Sequence, residues 1–175
     1  YSPFDTSPPF GSAEVYQHQM PGGQYTNLRE QAAALGLGKR WPDVVSTYQT
    51  CNRLLGDIVK VTPSSKSVGD LAIFLITKGV KPEDLVNLPE ETGFPQSVID
   101  LLSGNLGQPK GGWPKDVQKV ILGGQKPMRG RPGASAPKMD LRKEKAALVR
   151  KFGKQCSDDD LFSSVMYPKV YTDFQ

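Results

Sequence analysis

Glycine and proline punctuate this chain so often that only short elements fit between them. There are 18 glycines and 15 prolines among 175 residues, nearly a fifth of the chain, where about 12% is usual. Proline removes a main-chain donor and glycine gives up conformational order, so such a chain folds into short helices joined by many turns. No apolar run nears the roughly 18 residues that span a bilayer. The richest is Leu71 to Ile76. Hydrophobic residues at 37% and charged residues at 23% are too apolar for disorder and too polar for a membrane protein. Two cysteines, Cys51 and Cys156, exclude a disulfide scaffold and point to a reducing compartment. One histidine excludes a His-rich zinc site and leaves a Ser-His-Asp triad only His18 to use.

Residues 1–24 are rich in Pro, Gly and Ser, close on Met20-Pro21-Gly22-Gly23-Gln24, and are expected to be a lead-in loop. A helix is predicted from Thr26, as N-cap, to Gly36 or Gly38. Trp41-Pro42-Asp43 opens the next, with Val44, Tyr48, Cys51 and Leu55 forming one buried stripe. Ile58 to Val61 is β-branched and extended in character. Ser64 or Ser65 can then cap a helix whose buried face is Val68, Leu71, Ala72, Leu75 and Ile76, the candidate central helix. Shorter elements follow: Pro82 to Asn87, Pro95 to Leu102, Lys115 to Leu122, Asp140 to Phe152, and Ser157 to Met166. Leu106 to Pro114 is a turn-dense loop, and Gly123 to Pro137 an irregular crossing segment. No strand alternation recurs and no repeat is present, so the class is mainly α. Three divisions are expected: the lead-in 1–24, a helical core over 25–125, and a crossing segment with C-terminal helices over 126–175. The chain opens Tyr1-Ser2-Pro3-Phe4 without an initiator Met or signal peptide and stops inside an apolar-polar pattern. A piece of a longer protein is expected.

Charge is uneven. Residues 1–105 carry 8 Lys/Arg against 11 Asp/Glu, and residues 106–175 carry 14 against 7. A basic half can face nucleic acid or a phosphate-bearing ligand. The lysines from 142 to 154 lack interleaved aromatics, however, and read as a solvated helix face. Catalytic motifs are mostly absent: there is no P-loop, dinucleotide glycine fingerprint, HExxH, CxxC or GxSxG. His18 reads as a loop histidine with a local hydrogen bond, and Cys51 as core rather than nucleophile. One stretch stands apart, Gly56 to Asp70 (GDIVKVTPSSKSVGD). It gathers Thr62, Ser64, Ser65 and Lys66 around Pro63, just ahead of an apolar helix. The hydroxyls there can simply cap that helix. Alternatively, a stiff Thr-Pro turn projects a hydroxyl while Ser and Lys at a helix start offer donors to an oxygen-rich ligand.

Several long stretches carry a family resemblance: Val15 to Leu28 (VYQHQMPGGQYTNL), Gly36 to Trp41 (GLGKRW), Gly56 to Asp70, Gly104 to Pro114 (GNLGQPKGGWP), Pro132 to Ser135, and Met166-Tyr167-Pro168. In this order, and over nearly the whole chain, the sequence resembles the pyruvate carboxylase family, in the part of its carboxyltransferase domain that follows the TIM barrel. Oxaloacetate decarboxylase and transcarboxylase subunits share this region, but their motif looks more like TPTSQIVG. Ser65-Lys66 and Gly69-Asp70 favour pyruvate carboxylase.

The resemblance implies a funnel-type segment of short helices and Gly/Pro-rich loops over the mouth of a barrel that this chain lacks. It implies help in moving CO2 from carboxybiotin to pyruvate, giving oxaloacetate. The family's active-site threonine matches Thr62, with the implied role of relaying a proton from the pyruvate methyl to biotin N1. The biotin-contacting serine matches Ser65, with Lys66 beside it, both implied to hold the ureido oxygen. Ser64 is given no role. The metal ligands, carboxylated lysine and pyruvate-binding arginine belong to the barrel, and neither the biotin-carrier Met-Lys-Met motif nor an ATP-grasp domain is present here. The implied cofactors are biotin carried on another domain and a divalent metal in the barrel, not bound by this chain. The implied partners are that barrel, the biotin carrier domain and pyruvate, with no nucleic acid and no membrane, in a homo-oligomeric parent. The expected location is the cytoplasm, or the mitochondrial matrix in a eukaryote, and the chain alone is expected to be inactive. The rival reading is a non-catalytic helical module for docking or nucleic-acid binding.

Overall fold

A computed structural model of the chain describes residues 11–153 and 155–175. Among the described residues there are helices and no strands. In order they are α1 (Val15–His18), α2 (Gly22–Ala34), α3 (Trp41–Leu54), α4 (Ser64–Lys78), α5 (Gln96–Ser103), α6 (Lys115–Leu122), α7 (Pro132–Ser135), α8 (Leu141–Phe152), α9 (Asp158–Met166) and α10 (Pro168–Phe174). Short 3-10 turns cover Gly38–Arg40 and Pro82–Asn87. The chain divides into two compact units, Tyr1–Ala134 and Ser135–Gln175.

In the first unit α4 is the central helix, as its all-round apolar sequence requires. Ser65, Ser67, Val68, Gly69, Leu71, Ala72, Ile73, Leu75 and Ile76 are buried along it. The α3 stripe of Val44, Tyr48 and Cys51, extended by Leu55, joins the same core. The close α2–α4 approach depends on Gly69. A Cβ there would lie 2.6 Å from Gln24 Nε2 and 2.9 Å from Leu28 Cδ1, inside any ordinary contact, so only glycine fits without displacement. Val98, Leu101 and Leu102 of α5 and Val117, Val120 and Ile121 of α6 extend the core. Gln118 Nε2 donates to Leu102 O at 2.8 Å, tying these two helices. Each of α4, α5 and α6 ends on a glycine of positive φ, Gly79, Gly104 and Gly123.

The second unit has a small core of Leu148, Cys156 and Tyr171 with Phe152 against it. Two of its helices, α8 and α9, start as their sequences predict. Asp140 accepts from the N–H groups of Arg142 and Lys143, and Ser157 and Asp160 form a reciprocal capping box. Tyr171 donates to Asp160 Oδ1 at 2.9 Å. Arg142, Lys143, Arg150 and Lys151 are exposed, the solvated face expected of α8.

Four local expectations are corrected. The lead-in 1–24 is not all loop: residues 1–10 lie outside the described residues, but α1 forms within 11–24 and α2 starts at Gly22, four residues before Thr26. Thr26 is not a cap; its hydroxyl donates back to Gly23 O at 3.1 Å. Neither Ser64 nor Ser65 caps α4, whose N-cap position is Pro63. Finally, α10 was not anticipated beyond Met166. Its first residue is Pro168, whose missing N–H costs nothing at a helix start. No helix of the described residues is long and apolar enough to cross a membrane.

Candidate functional site

The site is the connection from α3 to α4. It leaves α3 through Gly56 and Asp57, both at positive φ. Asn52 holds this corner, its Nδ2 donating to Asp57 Oδ1 at 3.2 Å while its carbonyl accepts the Asp57 N–H at 2.9 Å. Aspartate tolerates the left-handed conformation because its short side chain bonds locally. Ile58 then plugs into the core, whereas Val59 and Val61 are 82% and 63% exposed. Two exposed valines bracketing Lys60 run against their apolar character and leave the approach to Thr62 on the surface. The Thr62–Pro63 peptide bond is cis.

The turn is closed by Ser64, not by a helix cap. Ser64 Oγ accepts the Val61 N–H at 3.1 Å and directs its proton back at the Val59 and Val61 carbonyls, at 2.8 and 2.6 Å. Ser64 therefore has a structural task in the turn, which its sequence position alone did not reveal. Because it faces backwards, the start of α4 has no side-chain cap among the described residues, and main-chain carbonyls serve its first turn instead: the Ser65 N–H donates to Val61 O and the Ser67 N–H to Pro63 O, both at 3.2 Å.

The three predicted site residues sit within this turn and the first turn of α4. Thr62 is exposed at the tip, and its hydroxyl has no hydrogen-bond partner among the described residues. Ser65 is buried at 3% exposure, also without a side-chain hydrogen bond among the described residues. Lys66 is exposed and ion-paired to Asp70 one turn on. Asp70 in turn accepts from Ser97 Oγ of α5. Ser67 Oγ donates to Ser97 O at 2.9 Å. Lys66 and Asp70 line one side of an open groove of about 600 Å³, whose other walls are Gln31, Leu35, Phe74 and Pro95. Nothing in the sequence pattern signals that Ser97 meets Asp70 beside Lys66, because the two lie 27 positions apart.

Elsewhere, His18 is buried at the end of α1 and its Nδ1 accepts the Met20 N–H at 2.8 Å. Burial lowers its pKa from the ordinary histidine value, against the opposing charge of Glu14. Cys51 is core, as expected, and burial, helped by Glu83, pushes its thiol up to about 12. No three of His, Cys, Asp and Glu converge as a metal centre among the described residues.

The model of the conserved carboxylase domain matches residues 15–175. The chain belongs to the pyruvate carboxylase family. It is 42% identical over 174 residues to the pyruvate carboxylase of Bacillus subtilis, and 44% identical over 177 to pyruvate carboxylase 1 of Caenorhabditis elegans. These matches take in 99% and 100% of the chain but only 15% of either relative. The chain thus spans about a seventh of the length of the curated pyruvate carboxylases it matches. Solved structures place that part in the carboxyltransferase domain. The Rhizobium etli pyruvate carboxylase domain with oxamate and biotin superposes with a TM-score of 0.90 at 47% identity, over 97% of this chain and 28% of that one. The same domain with pyruvate and biocytin gives 0.89 at 47%, over the same shares. The mainly helical class and the assignment to a carboxyltransferase segment of a pyruvate carboxylase therefore hold.

Proposed function

We propose that this chain is the funnel segment of a biotin-dependent carboxyltransferase, working beside a TIM barrel to move CO2 from carboxybiotin to pyruvate. The observation that carries this is the match, over 97% of the chain, to a carboxyltransferase domain solved with oxamate and biotin. The connection between α3 and α4 supplies residues suited to that chemistry. Thr62 offers an unengaged hydroxyl at the tip of a turn held by Ser64, and a hydroxyl can accept one proton while giving up another. It is the proton-transfer residue. Ser65, a largely buried residue, offers a hydroxyl without a hydrogen-bond partner among the described residues. A hydroxyl that no protein group engages can donate to a ureido oxygen. Lys66 adds positive charge where that oxygen gathers negative charge. Biotin, when bound, supplies the transferable carboxyl group and is carried on another domain.

The described residues do not suit a divalent metal, since no cluster of its usual ligands forms. The metal and the pyruvate-binding groups are assigned to the barrel. In this reading the chain is inactive alone, and its partners are the barrel, the biotin carrier domain and pyruvate.

The test is Thr62→Ala in the full-length enzyme, with both half-reactions measured on one preparation. Pyruvate carboxylation is expected to fall by the 10²–10⁴-fold typical of a lost proton-transfer group (about 3–5 kcal/mol). Carboxylation of biotin by ATP and bicarbonate is expected to persist. Thr62→Ser recovers part of the loss. A parallel fall in both half-reactions means that Thr62 is only a turn residue, and no fall in either places the proton relay elsewhere.

A further inference from the structure

We propose that Asp70 is a positioning residue, fixed by Ser97 of α5 and holding the Lys66 ammonium in place for the ligand. This rests on the ligand-facing role of Lys66 proposed above. The ordinary reading of a Lys–Asp pair four residues apart is a surface helix pair of little consequence. Three features of this pair speak against it.

The first is its order. Helices favour the acidic partner on the N-terminal side and the basic partner after it. Here Lys66 stands in the first turn of α4, with Asp70 following. A cation at a helix N-terminus opposes the helix dipole, so the arrangement is a poor choice for helix stability alone. The second is the asymmetry of exposure: the Lys66 side chain is 55% exposed and that of Asp70 only 17%. A carboxylate withdrawn from water interacts more strongly with its cation than one in bulk solvent. The third is the external anchor. Lys66 Nζ and Ser97 Oγ donate to the same oxygen, Asp70 Oδ2. Ser97 is itself tied to α4, because its carbonyl accepts from Ser67 Oγ at 2.9 Å. The carboxylate is thus held by a second helix and does not follow the lysine.

The consequence is mechanical. A lysine has a long flexible stem and a charge that otherwise samples many rotamers. Tethered to a fixed carboxylate, its ammonium stays beside the groove that Lys66 and Asp70 both line. Two further N–H donors of the ammonium remain for an incoming oxygen. Asp70 touches no ligand in this account and acts only through Lys66.

A double-mutant cycle in the full-length enzyme tests this, with Asp70→Asn, Lys66→Met and their combination. Asp70→Asn keeps the shape and the Ser97 contact but removes the charge. It is expected to lower kcat/KM for pyruvate carboxylation about tenfold, equivalent to about 1.4 kcal/mol, while ATP-dependent biotin carboxylation is unchanged. In the Lys66→Met background the same substitution is expected to add nothing, and Asp70→Glu to restore part of the activity in the parent background. An equal loss in both backgrounds, or no loss with Asp70→Asn while Lys66→Met is impaired, overturns the positioning role. Wild-type rates in Lys66→Met overturn the underlying role of Lys66, a result read from that single variant alone. Should Asp70→Asn not fold, Ser97→Ala enters the same cycle, with a smaller loss expected only when Lys66 is present.

Discussion

Ser64 Oγ accepts the main-chain N–H of Val61 at 3.1 Å, across the turn that carries Thr62. The serine closes the turn from the helix side, so the hydroxyl that would otherwise cap α4 is spent on presenting its neighbour. Ser64→Ala is expected to destabilise the fold by about 1–3 kcal/mol, the net worth of the accepted and the donated bond together. On the proton-transfer role proposed for Thr62, it should also lower carboxyl transfer in the full-length enzyme, because Thr62 loses its fixed presentation. Chemical denaturation and steady-state rates on the same variant check both halves.

Gly69 sets the distance between α2 and α4. Gly69→Val adds three carbons where even a Cβ would meet Leu28 Cδ1 at 2.9 Å. Overpacking of a close helix contact costs about 1–3 kcal/mol, and a lower denaturation midpoint is expected. Trimming the neighbour in Gly69→Val/Leu28→Ala should return part of that loss, measured against Leu28→Ala alone.

The lowered pKa of His18 has a direct sign. Burial disfavours the charged form of this imidazole in the folded chain, against the opposing charge of Glu14. The unfolded chain binds the proton more readily near the ordinary value of about 6.5. Stability therefore falls as pH drops through and below that value, and is fully retained above it. Thermal unfolding from pH 7.5 to 5.5 should show this slope, and His18→Asn, which keeps an acceptor but does not titrate, should lose it.

Tyr48 is completely buried and its hydroxyl has no hydrogen-bond partner among the described residues. Burial accordingly pushes its pKa well above the ordinary tyrosine value. Removing an unpaired buried polar atom relieves a desolvation cost of about 1 kcal/mol or more. Tyr48→Phe is thus expected to raise the denaturation midpoint, an unusual direction for a core substitution.

Much of this architecture follows from local chemistry alone. The stripe of Val44, Tyr48, Cys51 and Leu55 is buried as its spacing demands. The boundaries at Asp140 and Ser157 follow from side-chain oxygens that meet their own helix N–H groups two or three residues away. Lys115–Leu122 begins after a proline and ends before a glycine, and both signals are local. The family too was legible, because its motifs are continuous in sequence, and Thr62, Ser65 and Lys66 lie on one of them.

What the chain order could not reveal was any group whose partner lies far along it. Ser64 looked like a helix cap, but its oxygen turns to Val59 and Val61 because the chain folds back at Thr62–Pro63. Lys66 looked like a free donor, yet packing of α5 on α4 brings Ser97 to Asp70 and gives the lysine an anchor. Gly69 was legible only as part of a family motif, and packing of α2 makes it a steric requirement. Periodicity and capping act within a few residues and so can be read from sequence. The contacts that orient the site arise only when α2, α4 and α5 pack together, and that arrangement is a property of the tertiary structure.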